Sequence, residues 1–145
     1  MQVVDLNAVQ SMPIDERLNV AFPVHSGTGC AASAAVWMEI APGGTVQEHT
    51  DSAEELLYVA RGEVEATIGD ETGTLGAGEL AVVPALALHS LRNVGDEDAR
   101  VLGFFAGSAN VATFTAPPHG PGGPQIFVIG GPMPIALPLE APVTA

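Results

Sequence analysis

The chain has 145 residues, of which 47% are apolar, with 17 glycines, 12 prolines and a formal net charge of −13. This composition predicts one globular domain built from short strands and many turns, rather than a disordered chain or a helical bundle. The 17 acidic residues, against four arginines and no lysine, disfavour nucleic acid or an anionic membrane as a partner, and the missing lysine excludes Schiff-base and P-loop chemistry.

Short apolar segments bounded by Gly, Pro, Asn and Asp recur along the chain and predict strands. In chain order these segments are 18–22, 32–40, 46–49, 55–61, 63–68, 72–75, 80–83, 89–93, 100–106, 111–114 and 125–129. Residues 6–10 are the nearest helical candidate and are too short to matter. The spacing of the strands and the turn residues between them predict an antiparallel sandwich or barrel.

The last part of the chain, residues 116–145, is a Pro/Gly-rich extension. It begins with a Pro/Gly loop at 117–124, continues through the apolar strand at 125–129 and ends in a proline-rich tail that we expect to be extended. No internal repeat or second domain is evident, so we expect one domain over residues 1–145.

Two stretches carry spaced His, Glu, Gly and Pro residues. In the first, residues 43–62, Gly43 is followed after five residues by His49, then by Asp51, Glu55 and Gly62. This order resembles the first cupin motif, in which a glycine and five residues precede His-x-His, then three or four residues, a glutamate, six residues and a glycine. The sequence departs from that motif by placing Asp51 where the family has its second histidine.

The second stretch, residues 78–93, resembles the second cupin motif at the expected distance. Gly78 is followed after five residues by Pro84, and three residues separate His89 from Asn93; Leu86 stands where the family has glycine. The resemblance implies an all-β cupin-type double-stranded β-helix, a jelly-roll barrel with little helix.

A metal site is predicted where these two motifs meet. His49 and Asp51 share a strand face, because side chains two residues apart point the same way, while Glu55 and His89 each open a further strand. Two histidines and two carboxylates buried together are costly as free charges, and a divalent cation removes that cost. We therefore expect one divalent metal ion per chain on His49, Asp51, Glu55 and His89.

The two carboxylates make Fe²⁺ or Mn²⁺ the favoured ion, with Ni²⁺, Co²⁺ or Zn²⁺ also possible. As an alternative, Glu55 stays outside the ligand set, and His49, Asp51 and His89 form a triad of the non-haem iron type. Some cupins hold no metal at all, and this remains the competing interpretation of the motifs.

The resemblance alone does not select a reaction, because cupins carry many activities. The first hypothesis is a metal-dependent oxidoreductase, a dioxygenase acting on a small, largely apolar substrate, with Glu55 or Asp51 detaching to serve as the catalytic base. The alternatives are a redox-neutral isomerase, cyclase, decarboxylase or lyase, in which the metal is a Lewis acid, and a ligand-binding cupin without catalysis.

Four aromatic residues are assigned mainly to packing. Tyr58 lies three residues from Glu55 on one strand, so we expect it to face away from the barrel interior. Trp37, Phe104 and Phe105 are expected in the core or the pocket wall.

Four further residues are not expected to bind the metal. Asn93 is expected to be structural, Cys30 to be buried or in a turn, and His25 to be exposed beside a Gly-rich turn. His119 begins the Pro/Gly loop, and a role for it in closing the barrel mouth is the less favoured hypothesis.

The chain is expected to form a homodimer, because edge strands need protection and the apolar strand at 125–129 and the tail suit an interface. A cytoplasmic location is expected, because there is one cysteine and the N-terminus lacks the features of a signal peptide. No window approaches the ~20 apolar residues of a membrane span.

Overall fold

The computed structural model describes residues 1–130 and, as backbone, one further strand at Leu137–Leu139. The described part contains one 3₁₀ turn, Ser26–Thr28, and thirteen strands. In chain order the strands are β1 Met12–Asp15, β2 Leu18–Val24, β3 Ser33–Ile40, β4 Thr45–Asp51, β5 Glu55–Arg61, β6 Glu63–Ile68, β7 Glu71–Gly76, β8 Leu80–Val83, β9 His89–Asn93, β10 Ala99–Ala106, β11 Asn110–Phe114, β12 Ile126–Ile129 and β13 Leu137–Leu139.

The strands form two antiparallel sheets that pack face to face. One sheet has the order β1-β2-β3-β10-β5-β8, and the other has the order β13-β12-β11-β4-β9-β6-β7. Strands that follow one another in sequence therefore often lie in different sheets, which is the connectivity of a jelly roll. The predicted all-β jelly-roll barrel is confirmed.

The core lies between the two sheets and follows the alternation of the strands. On β10, Ala99, Val101 and Phe105 are buried, whereas Phe104 is 40% exposed. Ile40, Val59 and other aliphatic side chains complete the interior. Because neighbouring residues on a strand point to opposite faces, the inward set of each strand is fixed once one member is placed.

All eleven predicted strand segments are strands in the structure, with ends that coincide or differ by at most two residues. Strand β1 was not predicted; it has four residues, contains Pro13 and pairs with β2 at the edge of its sheet. Proline lacks a backbone donor and is tolerated at such an edge. Strand β13 falls in the predicted extended tail, and the rest of that tail lies outside the described residues.

Three expectations about single residues need correction or refinement. His25 is 1% exposed rather than solvent-accessible, because its Nδ1 accepts a hydrogen bond from the Gly27 amide and caps the 3₁₀ turn. Phe104 lies on the outer face of its sheet, outside both the core and the pocket wall, and only Phe105 faces inward. Trp37 is buried, but on the strand face opposite to Val36 and Met38.

The outer face of β10, β5 and β8 exposes several apolar side chains. Tyr58 lies there as expected, beside Leu80, and Phe104 and Val82 both flank Leu56. The homodimer, with the terminal segments in its interface, stays a prediction. The described residues include no helix that is long and apolar enough to cross a membrane.

Asn93, expected to be structural, is 1% exposed and joins three backbone segments. Its Nδ2 donates to the carbonyl groups of Ile40 and Glu97, at 2.7 and 2.8 Å, and its Oδ1 accepts from the Gly95 amide at 2.9 Å. It therefore fixes the end of β9, which begins at His89.

The departure of Leu86 from the family glycine has a backbone consequence. Leu86 has a φ of 65°, and among the described residues it alone adopts a positive φ without being glycine. Its amide donates to the Asp51 carbonyl at 2.8 Å, so this turn is tied to a predicted site residue. A side chain in this conformation costs ~1–2 kcal/mol.

We expect Leu86→Gly to raise the free energy of unfolding by about 0.5–1 kcal/mol, since relief of the left-handed conformation exceeds the added freedom of the unfolded chain. Leu86 is 69% exposed, so little burial is lost. Leu86→Ala is the matched control, because it shortens the side chain but keeps the Cβ. Denaturant unfolding that ranks the glycine variant at or below the alanine variant would contradict this account.

Candidate metal centre

The four predicted ligands come from both sheets and meet inside the barrel. Strand β4 carries His49 and Asp51, and the neighbouring strand β9 begins at His89, which pairs directly with His49. Glu55 is the first residue of β5 in the opposite sheet. All four are at least nine-tenths buried, with exposures of 8, 2, 2 and 2% for His49, Asp51, Glu55 and His89.

A β-bulge in β4 determines which residues face inward. Val46 pairs with Leu91, and His49 pairs with His89, so three steps along β4 match two steps along β9. The extra residue changes the alternation. Val46 and His49 are both buried, although unbroken alternation would put them on opposite faces. The bulge thus brings His49 and Asp51 to the interior.

The polar atoms of the site converge closely. His89 Nε2 lies 3.1 Å from Asp51 Oδ2 and 3.1 Å from Glu55 Oε2, and His49 Nε2 lies 3.5 Å from Asp51 Oδ2. One ligand atom from each residue can be chosen so that all four lie within 4.8 Å of one another. Glu55 therefore converges on the same point as the others, which favours the four-residue set over the triad.

Both imidazoles are oriented by the same local device. His49 Nδ1 lies 2.7 Å from the Gln47 carbonyl, and His89 Nδ1 lies 2.9 Å from the Ala87 carbonyl. A carbonyl oxygen only accepts, so each Nδ1 carries a proton and donates. In the neutral imidazole, Nε2 then presents its lone pair to the centre, as a metal-binding histidine requires.

Without a cation, burial and the close approach of these groups shift the pKa values of three of the four side chains. Burial lowers the pKa of His89, but the adjacent carboxylates of Asp51 and Glu55 outweigh burial and raise that pKa to about 10. Burial alone would raise the pKa of Asp51, but the adjacent imidazoles of His49 and His89 hold it well below its usual range. Burial raises the pKa of Glu55.

The single proton on His89 Nε2 cannot serve both carboxylates. It is placed to bond Glu55 Oε2, and Asp51 Oδ2 is left buried without a hydrogen bond from the described residues. A divalent cation would satisfy both oxygens and accept both imidazole lone pairs. The donor set fits a metal ion of the kind that tolerates mixed nitrogen and oxygen ligands. That these residues bind a metal stays a prediction.

A cavity of about 280 Å³ opens from the four side chains and is mainly apolar. Leu57, Leu91 and Phe105 line it, and of these Phe105 was expected in the core or the pocket wall. The other apolar lining residues are Met12, Ile14, Leu18, Val20, Phe22, Val36, Met38, Val46, Ala112, Phe114, Pro118, Pro124, Phe127 and Ile129.

Aromatic rings connect the ligands to the Pro/Gly loop. Phe114 stacks on His49 with ring centroids 4.6 Å apart, and Phe127 meets the Phe114 ring edge-on at 5.7 Å. His119 lies 6.0 Å from Phe127 and also lines the cavity. The loop therefore does border the cavity, as the less favoured hypothesis for His119 required.

Two supporting residues were missed by the sequence analysis. Gly103 on β10 lies under the Glu55 carboxylate, where an added Cβ would collide with Glu55 Oε1 and approach Val36 Cγ1 to 2.7 Å. Asn110 donates to Asp51 Oδ1 at 2.6 Å from a buried position. The available sequence signal was a glycine inside an apolar strand, which often marks a close approach.

We expect Gly103→Ala to displace the Glu55 carboxylate, because the added methyl group occupies its place. The free energy of unfolding should fall by about 1–3 kcal/mol, the usual cost of overpacking, and metal affinity should fall at least about tenfold. Gly73→Ala on β7 is the matched control, since its Cβ meets nothing within 4 Å. Equal unfolding and metal titration curves for the two variants would show that position 103 does not restrict Glu55.

Comparison with known proteins agrees with this architecture. A family model described as a cupin domain matches residues 36–105, a little under half of the chain. The curated protein named polyketide synthase CurC, from Streptomyces cyaneus, is 39% identical over 62 residues. This match covers 42% of the present chain and 40% of that protein, so the matched segment spans less than half of either one.

Solved structures share the fold. A Lactobacillus farciminis oxalate decarboxylase in complex with formate has a TM-score of 0.65 and 25% identity, over 71% of this chain and 32% of that one. The polyketide cyclase RemF from Streptomyces resistomycificus has a TM-score of 0.62 and 20% identity, over 72% of this chain and 78% of that one. At 20% identity the similarity to RemF shows the fold alone. The matched family model, the two-sheet topology and the four converging side chains agree with the resemblance to cupins that the two sequence motifs indicate.

Proposed function

We propose that this protein is a metal-dependent cupin enzyme that acts on a small, largely apolar molecule bound through its oxygen atoms. The observation that carries the proposal is a mainly apolar cavity that ends on two histidines and two carboxylates. An apolar wall selects a carbon skeleton, while the polar end fixes its orientation.

For the reaction, we propose redox-neutral carbon–carbon bond formation within a substrate that carries several carbonyl groups. Two relatives are named for polyketides, one as a synthase and one as a cyclase. These names describe the relatives and not this chain. They support ring formation as the reaction, and the mainly apolar cavity of about 280 Å³ suits such a substrate. The dioxygenase of the first hypothesis becomes the second candidate.

A divalent ion at the site would act as a Lewis acid that polarises a substrate carbonyl. Glu55 is the base in this scheme, because the described residues direct no hydrogen bond to its Oε1. Asp51 is less free, since Asn110 engages its Oδ1. Glu55 removes a proton from the carbon beside one carbonyl, that carbon bonds to a second carbonyl carbon of the same molecule, and the second carbonyl oxygen takes a proton. The new carbon–carbon bond closes a ring, and loss of the resulting hydroxyl group as water with a proton from the neighbouring carbon leaves a double bond, so no oxidant is needed.

The second candidate, a dioxygenase, is supported by the donor set itself. Two histidines with carboxylates are typical of non-haem iron sites that use oxygen. Both candidates need the same cavity and the same ligands, so oxygen consumption separates them. A ligand-binding cupin without turnover is the third possible outcome.

The test is turnover of a synthetic poly-β-ketone with and without oxygen, followed by mass spectrometry and an oxygen electrode. We expect the same rate in both atmospheres and a product lighter by one water. Glu55→Gln should lower the rate at least about 100-fold, within the usual contribution of a general base. Glu54→Gln, at the exposed neighbouring position, should leave it unchanged.

Other outcomes select the competing functions. Oxygen uptake that matches product formation, with oxygen atoms in the product, would establish the dioxygenase. Substrate binding without turnover in either atmosphere would establish a binding protein.

We also expect the untagged protein to carry close to one divalent transition ion per chain by elemental analysis. Chelation should lower Tm by about 10 °C, since a ligand at 100 times its Kd stabilises the fold by about 2.7 kcal/mol. His89→Ala should weaken metal binding more than about 100-fold, because residues that merely support a ligand contribute about 10–100-fold. A melting curve that Fe²⁺, Mn²⁺, Ni²⁺ and Zn²⁺ all leave unmoved would refute the site.

A further inference from the structure

Asn110, the first residue of β11, is a fully buried polar side chain beside the candidate site that the proposed chemistry does not use. It is 1% exposed. Its Nδ2 donates to Asp51 Oδ1 at 2.6 Å, and its Oδ1 accepts from the Ala53 amide at 3.1 Å and from Ser52 Oγ at 3.3 Å. It therefore links the end of β4 to the turn that leads into β5.

We infer that Asn110 is a positioning residue that makes Asp51 a ligand through one oxygen only, and that Asn110 and Asp51 form a matched pair in place of the histidine usual at position 51. The inference rests on the proposed metal centre. It concerns which atoms of the chain can face the ion, and not the reaction that follows.

The orientation of the Asn110 amide is fixed by its partners. The Ala53 N–H can only donate, so it must face the Asn110 oxygen. The Asp51 carboxylate can only accept, so it must face the Asn110 amide hydrogens. Turning the amide over would break both contacts, and each buried unpaired group costs about 1–3 kcal/mol.

This hydrogen bond determines the role of each Asp51 oxygen. With Oδ1 held by Asn110, Oδ2 is the atom directed at His49 Nε2 and His89 Nε2, at 3.5 and 3.1 Å. Asp51 can then offer the ion one oxygen. The described structure directs no hydrogen bond to that oxygen, as a ligand atom would require.

The same geometry explains why histidine does not fit position 51 beside Asn110. An imidazole that ligates through Nε2 presents a donating Nδ1–H where Asp51 Oδ1 now accepts, and Asn110 also donates there. Two buried donors would face each other. An acceptor at position 110 would remove the conflict, because a carboxylate can accept from both the Ala53 amide and the imidazole Nδ1–H.

The test is a double-mutant cycle on the full chain, read out by Co²⁺ affinity from calorimetry and by the visible Co²⁺ spectrum. Asn110→Asp alone places two carboxylates together, and Asp51→His alone places two donors together. We expect each to weaken Co²⁺ binding at least tenfold. The double variant Asp51→His/Asn110→Asp should return to within about threefold of wild type, with a changed spectrum.

Two controls separate positioning from simple structural damage. Asn93→Asp alters another 1% exposed amide, remote from the ligands in its hydrogen bonds; it should lower Tm but leave the Co²⁺ spectrum unchanged. Asn110→Ala keeps Asp51 but releases it, and should change the ratio of Mn²⁺ to Zn²⁺ affinity by at least fivefold even if the double variant fails to fold.

The outcomes are separable. Wild-type protein that binds no Co²⁺ would overturn the metal centre and this inference together. Suppose instead that wild type binds Co²⁺ and that the Asn110 variants keep its Co²⁺ spectrum, its Co²⁺ affinity and its ratio of Mn²⁺ to Zn²⁺ affinity. That result would overturn the pairing but not the metal centre. The pairing would also be wrong if the double variant folds but loses as much Co²⁺ affinity as the two single variants lose together.

Discussion

The burial of two carboxylates inside an apolar barrel is the constraint on which the rest of the site depends. Asp51 and Glu55 are both 2% exposed, in an interior otherwise filled by aliphatic and aromatic side chains. An ionised carboxylate in such surroundings is costly unless it is paired or coordinates a metal. His89 offers a partial solution, because its Nε2 proton can bond to one of the two carboxylates, and a divalent cation offers a complete one.

Each ligand is held by a group that does not itself reach the centre. Backbone carbonyl groups orient His49 and His89, Asn110 holds one oxygen of Asp51, and Gly103 leaves the room that Glu55 occupies. These supports come from different strands, so the site depends on the register of both sheets. Such groups give a site its precision, because a ligand left free to rotate binds less tightly.

The sequence was sufficient for the four converging residues and for most strands, because both follow from local patterns. Alternation along a strand predicted that Tyr58 faces away from Glu55, and motif spacing brought His89 to His49. The roles of the two supporting residues, Gly103 and Asn110, could not be predicted from the sequence. The role of Gly103 depends on β10 lying beside β5, and that of Asn110 on β11 lying beside β4. Neither pairing is visible within one segment of sequence.

Two local errors, at His25 and Phe104, and one avoided error, at His49, arise where a single segment of sequence does not show which way a side chain points. The bulge in β4 inserts one residue without a distinctive composition, so alternation counted from Val46 would have misplaced His49. His25 is buried by a cap formed with the next three residues. Phe104 and Phe105 are adjacent and equally apolar, and only the pairing of Phe105 with Glu55 shows which one faces inward.

The placement of ligands on both sheets has a consequence for how the chain unfolds. An ion held by Glu55 of β5 and His89 of β9 would be a noncovalent cross-link between residues 34 positions apart. The closed loop contains all of β6, β7 and β8, while β1, β2 and β3 lie outside it. By the chain-entropy estimate used for disulfides, closing a loop of this length is equivalent to about 3–4 kcal/mol. The ion would thus constrain the middle of the chain in the unfolded state, while the strands before β5 and after β9 would gain no such constraint from this link.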